Sequence, residues 1–296
     1  MPTVEANGMA INYTVEGAGP PLLMLHGATS TALEDFAAQR PLFRRAFRVH
    51  LVDARGHGGT KWDVRDGFSR DMLVDDLLAF VDGLGLQTFH LLGFSMGAMT
   101  ALTFATRHPE RLRTALICGI DIRREPRARV AGRLMDPERI AREEPEWAEQ
   151  LERRHAPVQG AGAWKHLLSV IARDVATQPL LTYEELRRAR LPIQLVYGDR
   201  DVFVPVDHAV EIYRQLPDAR LLVAPNTPHP VMVHQPALFN QMAAQFYRST
   251  ERVARQRAER AGAVASTASG DGAAQLDPAA VAAAASPDSD DPFQNW

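Results

Sequence analysis

The sequence predicts an α/β protein: a mostly parallel sheet of eight strands flanked by helices and interrupted by a helical insertion. Three observations carry this expectation. Short apolar runs alternate with longer helical patterns along most of the chain, as a parallel sheet covered on both faces requires. The N-terminal pair "TVEANG" and "MAINYTVEG" reads as a hairpin turning at Asn7-Gly8, a favoured tight-turn pair. Between Ile120 and Ala189 the alternation stops, and a charged, helix-rich interval without a convincing strand takes its place.

After the hairpin, the candidate strands are "PLLMLH" (21–26), "RVHLVD" (48–53), "FHLLGF" (89–94), "TALICG" (114–119), "IQLVYG" (193–198) and "ARLLVA" (219–224). Helices are expected over 69–84, 96–107, 206–215 and 236–248. The 121–189 interval exceeds a normal strand-to-strand crossover. It reads as a helical cap over the strand ends, anchored by Trp147, Trp164 and Leu167-Leu168. The core is then expected over 1–120 and 190–249. Residues 250–296 are set apart as a tail. "ERVARQRAER" extends the preceding helix in this reading, and the remainder, rich in Ala, Ser, Gly, Pro and Asp, is expected to be disordered. It has too few large apolar groups to offset its ordering entropy.

Composition narrows the function classes. With 46% hydrophobic and 23% charged residues the chain is ordinary for a globular protein. A net charge of -3 argues against a nucleic-acid surface or a polybasic membrane anchor. The sole cysteine, Cys118, permits no intrachain disulfide and sits in an apolar run that predicts burial. No apolar stretch approaches the about 18 residues of a membrane span, and the N-terminus lacks the pattern of a secretory signal. A cytoplasmic location is the expectation.

The chemistry is expected at "GFSMG" (93–97), where a strand-like run meets a helix-like one. Gly93 and Gly97 let the backbone reverse sharply and let strand and helix approach closely, so Ser95 would stand at a helix N-terminus. A serine hydroxyl needs a base to take its proton. In this architecture an acid after a late strand and then a histidine should follow in chain order. "YGDRDVFVP" offers Asp199 and Asp201, and "PNTPHPVMVHQP" offers His229.

With these blocks, together with "LLMLHG" (22–27) and "DARGHGGT" (53–60), the chain resembles the α/β-hydrolase fold enzymes with a cap, from about Thr3 to Ser249. The resemblance implies a catalytic triad of Ser95, Asp201 and His229, with the second aspartate of Gly198-Asp199-Arg200-Asp201 as the acid and Asp199 as fallback. It implies an oxyanion hole from the main-chain N–H groups of Met96 and Ala28. It assigns His26 to organising the loop, Arg55-Gly56-His57-Gly58 to a structural turn, and His234 to no catalytic role. Where many relatives have glycine before the histidine, this chain has Pro228-His229-Pro230.

Relatives that dehalogenate alkanes or open epoxides resemble one another in using aspartate at the elbow, and this chain has serine. The expected function is a serine hydrolase acting on a small-molecule carboxylic ester or lactone, without cofactor or metal. The remaining histidines stand at no metal-ligand spacing, and no dinucleotide or phosphate loop is present. Trp147, Trp164, Leu168 and Met135 are candidate pocket residues, with packing against the main domain as the other reading. The alternatives are a carbon–carbon bond hydrolase or cofactor-free perhydrolase on the same fold, or a non-catalytic ligand-binding receptor. Oligomeric state is left open.

Overall fold

A computed structural model describes residues 2–268. Two compact units divide the chain, with the boundary between Asn240 and Gln241. In the first, β1 (Thr3–Ala6) and β2 (Met9–Glu16) form the expected hairpin. Its turn residues Asn7 and Gly8 have φ of 50° and 78°, left-handed backbone that Asn and Gly tolerate best. The other strands are β3 (Pro21–Leu25), β4 (Arg48–Val52), β5 (Phe89–Phe94), β6 (Leu112–Cys118), β7 (Ile193–Gly198) and β8 (Ala219–Ala224). The described residues make one eight-stranded sheet in the order β1-β2-β4-β3-β5-β6-β7-β8. β2 pairs antiparallel with β4, and every later pairing is parallel.

Burial explains why the central strands read as unbroken apolar runs. Every residue of β5 and β7 is buried, because helices cover both faces of a parallel sheet. Strand β8, at the edge, is only half-buried along most of its length.

The described residues also form twelve α-helices, in chain order. The short α1 (Ala32–Asp35) and α2 (Arg40–Phe43) come first, then α3 (Arg70–Gly83) and α4 (Met96–Arg107). Ser69 caps α3 by accepting the N–H of Met72. The helix turns Leu73, Val74, Leu77, Phe80 and Val81 inward at helical spacing. Helix α4 is buried from Gly97 to Thr106 and packs against β3, β5, β6 and α3. Its small residues Gly97, Ala98, Ala101 and Ala105 permit that close approach.

The interval after β6 holds α5 (Arg127–Leu134), α6 (Pro137–Glu143), α7 (Pro145–Gln159), α8 (Ala163–Thr177) and α9 (Tyr183–Arg188). Local signals set these helices. Asp136 caps α6 ahead of Pro137, Pro145 opens α7, and Thr182 with Glu185 forms a capping box on α9. Helices α5 to α8 build an apolar cluster around Ile140, Leu151, Trp164, Leu167, Leu168 and Ile171, which Ala28 of the loop after β3 joins. The last helix differs: α9 packs on α4, and Leu186 joins the main core.

The chain then forms α10 (Val206–Gln215), α11 (Val231–His234) and α12 (Pro236–Ala268). Helix α12 continues through "ERVARQRAER" (251–260), the extension read from sequence, and runs on to Ala268, into the stretch expected to be disordered. Glu251 to Ala261 is dominated by Glu, Arg, Gln and Ala, all strong helix formers. The rest of the expected tail, 269–296, lies outside the described residues. No helix among the described residues is long and apolar enough to cross a membrane.

Candidate active site

The candidate residues follow the C-terminal ends of five parallel strands: Ala28 after β3, Ser95 after β5, Gly119 after β6, Asp201 after β7 and His229 after β8. Loops at those ends converge beside the sheet, which is where open α/β sheets place their ligands.

Ser95 has φ 51° and ψ −111°, a left-handed conformation rare for a residue with a side chain. Such a backbone costs about 1–3 kcal/mol and persists only where its surroundings enforce it. They do so here. A Cβ on Gly93 would come 2.3 Å from the carbonyl oxygen of Gly97, and one on Gly97 would come 2.2 Å from that of Leu25. No other residue fits either place. The Ser95 N–H donates to Cys118 O at 2.9 Å, and the Gly97 N–H donates to His26 O at 3.0 Å. The turn is pinned on both sides.

Asp201 and His229 meet in the structure. His229 Nδ1 lies 2.7 Å from Asp201 Oδ2. The other oxygen of Asp201 accepts the N–H groups of Phe203 and Val204 at 2.8 and 3.2 Å, so the carboxylate is fully engaged. Asp199, the fallback acid, accepts the N–H of Thr227 at 3.1 Å. Main-chain donors there hold its carboxyl below the usual range, and its work is to tie the loop after β7 to the loop after β8. The imidazole of His229 packs on Phe203 and Phe94, with ring centroids 4.5 and 5.0 Å away, and on Gly119. A Cβ at Gly119, where φ is 70°, would sit 2.9 Å from His229 Cε1. His229 Nε2 is buried and has no hydrogen-bond partner among the described residues. Ser95 borders the same cavity, and the bond between the two is not closed in this structure.

His26 organises the loop that carries Ala28. Its Nε2 accepts the Ala54 N–H at 3.0 Å, which makes Nδ1 the donor to Gly27 O at 2.7 Å. Because a trans peptide sets C=O and N–H on opposite sides, this bond aims the Ala28 N–H away from His26. Asp35 takes the Gly27 N–H at 2.7 Å. His57 lies between Arg55 O and Ala28 O, at 3.0 and 2.9 Å. Burial, reinforced by His26, pushes its pKa down to about 4. A neutral ring carries one N–H, so His57 donates to one of these carbonyls and rests against the other. Arg55 of the same turn grips buried Asp76 through Nε and Nη2 at 2.6 and 2.7 Å. Met96, the first residue of α4, has no partner for its N–H within the helix and borders the cavity beside Ser95 and Ala28.

Two cavities meet at these residues. Ser95, His229, Ala28, Met135 and Phe203 border both. One runs to Arg70, Arg127, Asp174 and Gln178. The other opens past Trp147, Pro230 and Val233. Of the four pocket residues expected from sequence, Met135 and Trp147 are cavity walls. Trp164 and Leu168 are not. They are buried in the apolar cluster of α5 to α8, because the inward spacing of Trp164, Leu168 and Ile171 on α8 turns that stripe toward its neighbour helices. The sequence reading missed Arg127, Gln178, Phe203 and Gly119. Arg127 stands in "DIRREPRARV", where nothing separates an inward arginine from a solvated one.

The insertion is fastened over this region by polar contacts. Arg154 of α7 bonds Thr29 O and Glu34. The Gly58 N–H donates to His155 Nδ1 at 3.2 Å, and Gln159 donates to Thr60 O at 2.7 Å. At the other end Arg70 donates to Pro179 O at 2.6 Å.

Comparison with known proteins places this arrangement. Residues 22–242 match the model of the alpha/beta hydrolase family. The chain is 26% identical over 256 residues to the human (Homo sapiens) serine hydrolase BPHL, covering 82% of this chain and 84% of that one. It is 34% identical over 118 residues to a 2-hydroxymuconate semialdehyde hydrolase of Pseudomonas sp. (strain CF600), a match that spans 39% of this chain and 42% of the relative. Among solved structures it is similar to Est816, described as an N-acyl homoserine lactone degrading enzyme, with a TM-score of 0.68 and 26% identity over 83% of this chain and 100% of that one.

Proposed function

The chain belongs to the alpha/beta hydrolase family, and on that premise we propose that it is a serine hydrolase that cleaves a small carboxylic ester or lactone through an acyl-enzyme. Ser95 is the nucleophile, His229 the base and Asp201 the acid. The observation that carries this reading is the half-buried His229–Asp201 pair at 2.7 Å, whose second ring nitrogen is unpartnered at the cavity that the strained Ser95 borders.

In the reaction, Ser95 turns its Oγ to His229 Nε2, which takes the proton as the oxygen attacks the carbonyl carbon. Asp201 fixes the ring with Nδ1–H toward itself and Nε2 free to accept, and it stabilises the imidazolium that forms. The N–H groups of Ala28 and Met96 receive the charge that develops on the carbonyl oxygen, an interaction worth about 3–4 kcal/mol per donor. The proton on His229 passes to the leaving alkoxide. A water then gives its proton to His229 and attacks the acyl carbon, releasing the acid and returning the proton to Ser95. Helices α5 to α8 act as the cap, and Met135 and Trp147 give the site apolar walls. The similarity to the N-acyl homoserine lactone degrading enzyme supports esters and lactones as the substrate class.

A second reading, hydrolysis of a carbon–carbon bond in a diketo acid by the same residues, draws on the 2-hydroxymuconate semialdehyde hydrolase similarity. A p-nitrophenyl ester chain-length series and a lactone panel, run on the wild type and on Ser95→Ala, test the proposal. Turnover that disappears in Ser95→Ala supports it. Turnover that survives excludes Ser95 as nucleophile. A wild type inert on esters and lactones but active on a diketo acid moves the assignment to the second reading.

A further inference from the structure

The larger question at this site is what the inner cavity is shaped to hold, and Arg127 supplies the observation. It lies on α5 with only 8% of its surface exposed, and it borders the cavity that begins at Ser95 and His229. Among the described residues its buried Nε and Nη2 meet no acceptor. A buried guanidinium without partners is costly, and burial lowers its pKa against the pull of Asp121 and Asp174. The neighbouring charges are already engaged. Arg70 donates to Pro179 O and to Asp71. Asp121 accepts from His208 and from the Arg123 N–H. Asp174 accepts the Arg70 N–H at 3.3 Å. The charged residues of the cavity end are thus two arginines and one aspartate, and Arg127 is the cation there whose donors are unspent among the described residues.

The two unspent nitrogens identify the ligand chemistry. Nε and Nη2 form the side edge of a guanidinium, which matches the two oxygens of a carboxylate. This chain uses that same edge elsewhere: Arg55 holds Asp76 through Nε and Nη2 at 2.6 and 2.7 Å. We propose that the inner cavity takes a substrate bearing a free carboxylate, which Arg127 grips through this edge while the scissile carbonyl lies at Ser95. Arg127 is then the specificity-determining residue for acidic esters or lactones, and the outer cavity past Trp147 receives the other half of the molecule. The substrate class rests on the hydrolase reading; the carboxylate site itself does not.

The test separates the two. Wild type and Arg127→Gln are titrated calorimetrically with the dicarboxylates from glutarate to pimelate and with their diamides. The same proteins are assayed on mono-p-nitrophenyl esters of those acids and on their methyl-capped, neutral counterparts. The expected result is binding of the best dicarboxylate about tenfold or more tighter than its diamide. A kcat/KM preference for the acidic ester of similar size should accompany it, with both contrasts lost in Arg127→Gln and partly kept in Arg127→Lys. The wild-type contrasts stand even where a variant fails to fold. Equal binding of acids and diamides, or a preference that survives Arg127→Gln, overturns the proposal. Carboxylate selectivity in binding without turnover of any ester or lactone would leave the site standing and remove the ester or lactone reading. Turnover without selectivity in either measurement would do the reverse.

Discussion

Two histidine–aspartate pairs of the same local chemistry sit in this molecule. His229 Nδ1 lies 2.7 Å from Asp201 Oδ2, and His208 Nδ1 lies 2.7 Å from Asp121 Oδ2. Both carboxylates are fully buried. The pairs differ in where the second ring nitrogen faces. His229 Nε2 is unpartnered at the cavity that Ser95 borders. His208 Nε2 lies 4.0 Å from the exposed Asp207, and His208 borders neither cavity. Its pair joins the segment after β6 to α10, where burial raises the carboxyl pKa of Asp121 and His208 opposes the rise. A buried imidazole–carboxylate pair is therefore a structural clasp by default. A strained serine at the other nitrogen makes it a candidate relay.

Substitutions that treat the pairs alike break the comparison most sharply. Replacing His229 with alanine should lower kcat by about 10⁴-fold or more, the scale of losing the base of a triad. His208→Ala should lower the melting temperature by several degrees and keep kcat within about threefold. Equal losses of kcat in the two variants would erase the distinction. The aspartates sharpen it: Asp201→Asn should cost about 10³–10⁴ in kcat through the wrong ring tautomer, and Asp121→Asn should act on stability.

Gly119→Ala probes the packing under the relay. Its methyl group would meet the His229 ring at 2.9 Å, on a backbone with φ 70°. Displacing the ring by a few tenths of an ångström should cost about tenfold in kcat, with KM for a small neutral ester less affected. A wild-type kcat in this variant would show that the ring position is not set there.

Acid stability tests the fastening of the insertion rather than the relay. Burial lowers the pKa of His57 to about 4 and that of His155 to about 3. Both rings stay neutral in the folded chain while the unfolded chain protonates them near 6.5. Their neutral burial is therefore without penalty above pH 6.5, and stability falls as pH drops from there toward 4. The loss for His57 is on the order of 3 kcal/mol. Protonating Nδ1 of His155 would also remove the acceptor of the Gly58 N–H. The urea midpoint should thus decline between pH 6.5 and 4, with a shallower slope in His155→Gln. An unchanged slope would count against this account. Asp199→Asn, which weakens one loop contact, should have the smallest effect, a melting temperature within about a degree of wild type.

Much of this was legible in the residues, for physical reasons that differ along the chain. Strands β5, β7 and β8 carry the bounds expected from "FHLLGF", "IQLVYG" and "ARLLVA", because short apolar runs between helices have few other destinations. The elbow was legible because only glycine fits at 93 and 97. The cavity walls were not. Helices α5 to α8 share an amphipathic pattern whether a face meets a cavity, a neighbouring helix or water, so Trp164 and Met135 looked equivalent. Arg127 was hidden for the same reason: charge in an insertion reads as solvent-facing until the fold shows what surrounds it.

The most direct measurement is the site of covalent labelling by a fluorophosphonate, mapped by peptide mass spectrometry in the wild type and in His229→Ala. The account predicts one adduct per chain, on Ser95, formed far more slowly once the imidazole is gone. An adduct on another residue, or labelling of Ser95 at the same rate without His229, would contradict it.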